Sequence, residues 1–320
     1  MRRDPPAGSG AWAGLLPVDK PVGVTSHDVV DRARRSLGLR AIGHLGTLDP
    51  GASGLLVLAV GVATRCALVW QGGEKTYEGV ARLGITTDSQ DLHGRVLATH
   101  EVRAGETAIR AAAEALTGDL LQVPPMVSAL KHRGRRLHEI ARAGGTVERA
   151  PRPVRVEGWE WLGFEGPDAA FRVRCSGGTY VRTLVHDLGV SLGCGAALAA
   201  LRRTRSAPFG IEQACTWEDL GGLGAVELLG RHGIPLDRAL EVLPAVTLDA
   251  VAAEALGHGR GFAVAADSAP VGTGERSVVF RDVSGRALAL GELRPGGFAG
   301  EALAAPRVVF PWALREGRAA

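Results

Sequence analysis

Residues 43–56, GHLGTLDPGASGLL, constrain this chain more than any other stretch, because they set one carboxylate, Asp49, inside a turn dense in glycine and proline. Gly43, Gly46, Gly51 and Gly54 permit tight turns and close approach of a ligand, and Pro50 fixes the backbone just after the acid. The apolar run Leu55 to Val60 that follows reads as a buried strand. The pattern predicts an acid held still at the mouth of a sheet. Taken alone, the same residues also fit a plain Asp-Pro turn, and the rest of the chain has to decide between the two.

Periodicity along the chain predicts an α+β fold rather than alternating βα units. Leu15 to Val18 reads as a strand. Thr25 opens a helix with Asp28 as a capping-box partner, Val29, Val30, Ala33 and Leu37 share one face, and Gly38 stops it. Further strands are predicted at 54–60, 76–84, 153–164, 169–176 and 197–204, with helices near 63–70, 107–117, 137–143 and 180–192. Thr107 is the expected cap of the second of these, with Ile109, Ala112, Ala113 and Leu116 facing inward. Residues 1–13 read as a disordered leader. A boundary near 246 separates residues 14–245 from a tail, 246–320, that holds a short helix and several short strands broken by glycine and proline.

With 46% hydrophobic and 22% charged residues, the chain has the make-up of an ordinary soluble globular protein, expected in the cytoplasm. No apolar run reaches the roughly 20 residues of a membrane span. The four cysteines form no CxxC pair and read as reduced, buried thiols; no Walker loop, dinucleotide fingerprint or calcium loop is present, so no cofactor or metal is expected. Net charge is only +3, but eight Lys or Arg stand against two acids between Lys131 and Arg155, and Arg202, Arg203 and Arg205 form a second cluster. A glycine-containing basic segment of this kind suits a phosphate backbone, although many such runs are simply solvated faces.

Five segments beside the Asp49 loop carry a resemblance. LLPVDKPVGVTSHDVV (15–30), KTYEGVARLGITTDSQDLHG (75–94), QVPPMVSALKHRGRRLHEIARAG (122–144), CSGGTYVRTLVHDLG (175–189) and LRRTRSAPFG (201–210) occur in this order. Together they resemble the TruB family of tRNA pseudouridine synthases, firmly over residues 14–220 and loosely beyond. Leu45, Gly51, Val127 and His138 depart from residues common in that family, whereas Asp49, Tyr77, Tyr180 and Arg182 match. The resemblance implies a catalytic core around a mixed, mainly antiparallel sheet with flanking helices, followed by a small C-terminal PUA-like RNA-binding β-domain.

It also implies roles. Asp49 is the ionised carboxylate, acting as nucleophile at a sugar or ring carbon or as base at C2′. Enclosing a carboxylate with a stacked base raises its pKa, which a close guanidinium counters, and Arg182 is the implied partner. Tyr77 and Tyr180 are the only tyrosines in a chain with seven phenylalanines. Tyr77 is expected beneath the uracil and in removal of the C5 proton, and Tyr180 against the substrate or bracing the pair. His44 is expected to fill the space left by a flipped nucleotide, Leu201 to meet the uracil edge, and Arg202 to support binding. Lys20 either contacts phosphate or braces the Asp49 loop, while Asp88 and Asp91 hold their loop or meet RNA.

The expected activity is isomerisation of the uridine at position 55 in the T loop of tRNA by a stand-alone monomer. The T-arm stem-loop is its partner, with no membrane and no guide RNA. Two readings compete: an RNA-binding folding factor for tRNA, and a guide-RNA-dependent synthase of the dyskerin type. A glycoside hydrolase is disfavoured, because no second acid sits in a comparable motif.

Overall fold

The structure is a computed structural model that describes residues 12–128, 130–132, 134–265, 276–295 and 301–313. The chain begins with β1 (Gly14–Lys20), α1 (Ser26–Leu37), β2 (Ile42–His44) and β3 (Ala52–Val60), then α2 (Leu68–Gln71), β4 (Lys75–Leu83) and the hairpin β5 (Ile85–Thr87) and β6 (Val96–Thr99). Next come α3 (Glu106–Ala115), β7 (Gly118–Gln122), a small hairpin of β8 (Lys131–His132) and β9 (Arg135–Arg136), and α4 (Leu137–Arg142). Two long strands, β10 (Arg152–Glu165) and β11 (Asp168–Cys175), lead to α5 (Val181–Ser191) and β12 (Ala196–Ser206), then β13 (Phe209–Gly210) and β14 (Ile234–Pro235).

These strands form one mixed, mainly antiparallel sheet in the order β14-β1-β3-β12-β4-β11-β10-β7, with β2 paired to β3 and β13 to β12. One pairing differs in kind: β12 runs parallel to β3, with Leu201 opposite Ala52 and Arg203 opposite Gly54. On its other side β12 is antiparallel to β4, so Arg203 also faces Tyr77 and Leu201 faces Gly79. The centre of the sheet therefore gathers residues about 150 positions apart in sequence.

Local rules explain the flanking helices. Thr25 caps α1 in a full capping box with Asp28, an arrangement worth about 1 kcal/mol, and Gly38 ends the helix in the left-handed conformation. Val29, Val30, Ala33 and Leu37 are buried against the sheet, each larger side chain contributing about 1.5–3 kcal/mol. The expectation for α3 is corrected at its start: Gly105 is the N-cap with no side-chain bond, and Thr107 lies inside the first turn. Gly105 takes that place because the extended backbone there needs no side chain, while Glu106 puts an acid in the first turn.

Beyond Ala245 a smaller five-stranded sheet forms in the order β15-β17-β18-β19-β16: β15 (Ala245–Thr247), β16 (Phe262–Ala265), β17 (Arg276–Arg281), β18 (Ala287–Pro295) and β19 (Glu301–Val309). It packs on the larger sheet, since Val279, Ala287 and Phe310 share one apolar cluster with Leu15, Leu55 and Trp70. At the other end of the chain, Trp12 and Ala13 are packed against apolar clusters rather than trailing free, although they fall within the expected leader. Residues 1–11 of that leader lie outside the described residues.

Gly54 sits where β1, β3 and β12 meet. Its φ is +100°, and a Cβ there would stand 2.3 Å from the Arg203 carbonyl oxygen. Gly54→Ala is expected to cost more than about 2 kcal/mol in urea unfolding, the left-handed penalty plus a backbone collision.

Candidate active site

The Asp49 loop is fixed from both sides. Ser26 Oγ, at the start of α1, donates to the Leu48 carbonyl at 3.0 Å and accepts from the Leu48 N–H at 2.9 Å. On the far side of the acid, the Gly23 N–H donates to the Pro50 carbonyl at 2.8 Å. Arg203, reaching across from β12, donates to the carbonyls of Leu55 at 2.7 Å, Gly46 at 3.1 Å and Thr47 at 3.4 Å. Carbonyls withdrawn from water need donors, and here one guanidinium serves one buried and two partly buried carbonyls.

Arg182, in the first turn of α5, brings its Nε within 2.9 Å of Asp49 Oδ2. The contact is a charge pair rather than an aligned hydrogen bond. The guanidinium is 4% exposed against 43% for the carboxylate, so the cation is buried while the acid keeps an open face. The other nitrogens of Arg182 donate to the carbonyls of Ser89 at 2.7 Å and Val127 at 2.9 Å, and Nη1 lies 3.5 Å from Asp91 Oδ2. Asp91 is itself held, accepting from Ser89 Oγ at 2.7 Å and the His93 N–H at 3.0 Å. A cation so firmly anchored pins the acid without covering it.

The open face of Asp49 borders a cavity of about 340 Å³, large enough for a nucleoside. Tyr77, Leu201, Tyr180, Arg182, Lys75 and Arg203 are among its walls. Tyr77 is buried; burial holds its hydroxyl above the ordinary phenol range, and the hydrogen-bonded Arg203 guanidinium opposes that. Tyr180 is half-buried, its phenol also pushed up by burial and tempered by a hydrogen bond with Ser128. The backbone of Tyr180 is locked both ways to the Gln122 side chain, at 2.8 and 3.1 Å. Asp49, Tyr77, Tyr180, Arg182 and Leu201 thus converge on one cavity.

Three other predicted residues lie elsewhere. Lys20 is fully buried, and its Nζ donates to the carbonyls of Pro21 at 2.9 Å and Val24 at 2.8 Å, so it braces the turn beside Asp49 and cannot reach a phosphate in this conformation. His44 ends β2, two residues before the cavity wall begins at Gly46, and does not line the cavity. Burial, with Arg203 and His27 nearby, lowers its pKa, which leaves a neutral ring. Arg202 points away and is engaged by Asp19 at 2.6 and 3.0 Å, because neighbouring residues on a strand face opposite sides. Its neighbour Arg203 is the arginine of this segment that lines the cavity.

Lys75 and Asp91 are the other residues that sequence reasoning passed over or left in a structural role. Lys75 is buried on the same face of β4 as Tyr77, two residues before it, and donates to the carbonyls of Gly73 at 2.7 Å and Gln71 at 3.2 Å. A signal for it existed: the chain has only three lysines, Lys20, Lys75 and Lys131, in a composition that otherwise uses arginine. Choosing lysine twice at buried positions marks places where a compact ammonium is required.

Comparison with known proteins places this arrangement. Residues 34–181 match the N-terminal domain of the TruB family of pseudouridylate synthases, and residues 182–241 match the C-terminal domain of tRNA pseudouridylate synthase B. The tRNA pseudouridine synthase B of Aromatoleum aromaticum is 46% identical over 279 residues, 87% of this chain and 88% of that protein. The chain belongs to the TruB family. A second TruB relative, from Thiobacillus denitrificans, is 46% identical over 79% of this chain and 85% of its own length. Among solved structures, one chain of a Cbf5-Nop10-Gar1 complex superposes with a TM-score of 0.72 at 30% identity, covering 95% of this chain and 86% of that one. A chain from an H/ACA RNP bound to a substrate RNA containing 2′-deoxyuridine gives 0.69 at 28% identity, covering 94% and 86%.

Burial lowers both Lys20 and Lys75 to about 8, opposed at Lys20 by Asp49 and reinforced at Lys75 by Arg203. Two lysine 13Cε resonances are therefore expected to titrate near pH 8 in NMR of the folded protein. Between about pH 8 and 10.5 the unfolded chain holds these two protons and the folded one does not, so their contribution to stability rises with pH across that window. Lys75→Met should flatten part of that rise in urea unfolding measured at several pH values.

Proposed function

We propose that this TruB-family isomerase converts the uridine at position 55 in the T loop of tRNA to pseudouridine, acting alone on the T-arm stem-loop. One observation carries the reading: an Asp49 carboxylate with an open face, paired with the buried Arg182 at 2.9 Å, borders a nucleoside-sized cavity walled by Tyr77 and Leu201. The reaction breaks the C1′–N1 bond, turns the uracil, and forms C1′–C5. N1 gains the hydrogen that C5 loses, so atoms balance with no oxidant or reductant. The carboxylate starts the sequence, and Arg182, 2.9 Å away, keeps it aimed once the base shuts out water. Tyr77 lies under the ring, and its hydroxyl, beside Arg203, handles the C5 proton. That proton needs only a weak base, because its loss restores the conjugated ring.

A stacked uridine must first leave the RNA loop, at a cost of a few kcal/mol. The neutral ring of His44, close to the cavity, is suited to stack in the gap, which contributes roughly 1–3 kcal/mol. The basic residues between Lys131 and Arg155 and the small C-terminal sheet, read as PUA-like, supply phosphate contacts. The H/ACA neighbours raise a guide-dependent reading, but the 46% identity to tRNA pseudouridine synthase B from two bacteria exceeds the 30% to the Cbf5 complex chain. Conversion of a bare tRNA transcript by purified protein, with the modified position mapped, separates the two.

Tritium release from C5-labelled uridine in such a transcript tests the chemistry. Asp49→Asn should lower it at least about a thousandfold, and wild-type release from that variant would refute the reading. Arg182→Met should nearly abolish turnover while tRNA affinity stays within a few fold. Tyr77→Phe should bind normally yet stall before the C5 hydrogen is released, visible as bound RNA without tritium in the solvent.

A further inference from the structure

A second groove, of about 460 Å³, shares only Asp49 and Arg182 with the first cavity among the described residues. The charge pair is the partition between them. The remaining walls include Val22, Pro50 and Val127, which are apolar, and the exposed His93. The Nε2–Cδ2 edge of the His93 ring abuts the Asp49 loop, so that a Cβ on Gly51 would stand 2.3 Å from its Nε2 and 2.5 Å from its Cδ2. Its main chain is tied to the same network that holds the pair, through the bond from its N–H to Asp91 Oδ1 at 3.0 Å.

Resting on the proposed reading that the target uridine fills the first cavity, we propose that this groove is a second base-binding site. It takes a nucleotide adjoining the target in the same RNA strand and seats its base against the His93 imidazole. Asp49 must meet the target nucleoside, so the strand entering or leaving the first cavity passes the partition where the groove begins. Charge selects the part of that nucleotide that binds. Two carboxylates, Asp49 and Asp91, face the groove with one guanidinium, a setting that repels phosphate and accepts a neutral base. A planar side chain over apolar walls is the usual platform for a base without regard to its sequence. Gly51 makes room for that platform, since any side chain there would displace the imidazole.

The test uses the full chain and T-arm stem-loops that are intact or lack the base immediately 5′ or 3′ of the target, with affinity read by fluorescence anisotropy. Wild type is expected to lose about tenfold in affinity when one of these two bases is removed. His93→Ala should bind the intact stem-loop about tenfold more weakly and show no further loss with that abasic RNA. Gly51→Leu should behave in the same way, and His93→Phe should restore the wild-type pattern. Wild-type sensitivity to base removal in His93→Ala, or indifference of wild type to both removals, would overturn the proposal. The readout is binding, so a wild-type protein that converts no uridine would refute the proposed function while these affinities still decided the groove.

Discussion

A single buried guanidinium organises the site. Arg182 has almost no contact with solvent, and burying a cation is tolerable only when charge and acceptors surround it. Its acceptors come from separate parts of the chain: the carbonyls of Ser89 and Val127 and the carboxylates of Asp49 and Asp91. Each of those loops is held in place by satisfying the same side chain. The acid is therefore positioned by a cation that could not be left unpaired, and its exposed oxygen remains available to a substrate.

The second guanidinium, Arg203, works from the opposite wall through neutral acceptors. It threads the turn that precedes Asp49 and touches the Tyr77 hydroxyl, so the platform and the loop share one donor. Parallel pairing of β12 with β3 makes this possible, because it sets Arg203 beside Gly54 and, across the next strand, beside Tyr77. Lys20 completes the row at the end of β1, opposite Gly54. Three cations line the base of the loop that carries Asp49. Desolvation has already lowered one of them to about 8.

Much of this was legible in residue pattern. The capping box at Thr25, the strand after Asp49, and the long pair β10 and β11 followed from periodicity, and the family resemblance named the residues that meet at the cavity. What escaped has physical reasons. Arg203 went unnoticed because which residue of its strand faces inward depends on register, and β12 has irregular pairing with β4 on both sides of that segment, so simple alternation could not be counted from its ends. Lys20 looked equally suited to phosphate or to bracing until its complete burial removed the first option. The α3 cap went to Gly105 because backbone geometry, rather than side-chain type, decided it. His93 stayed invisible because the residue it abuts, Gly51, is distant in sequence and contributes only the absence of a side chain.

The join between β3 and β12 also bears on how the protein is made. Arg203 and Leu55 are 148 residues apart, yet the turn carrying the acid leans on that contact. During synthesis from the N-terminus, Asp49 leaves the ribosome long before either arginine that will hold it. The nascent chain thus carries Asp49 early and acquires the geometry around it late, once β12 has emerged to pair with β3.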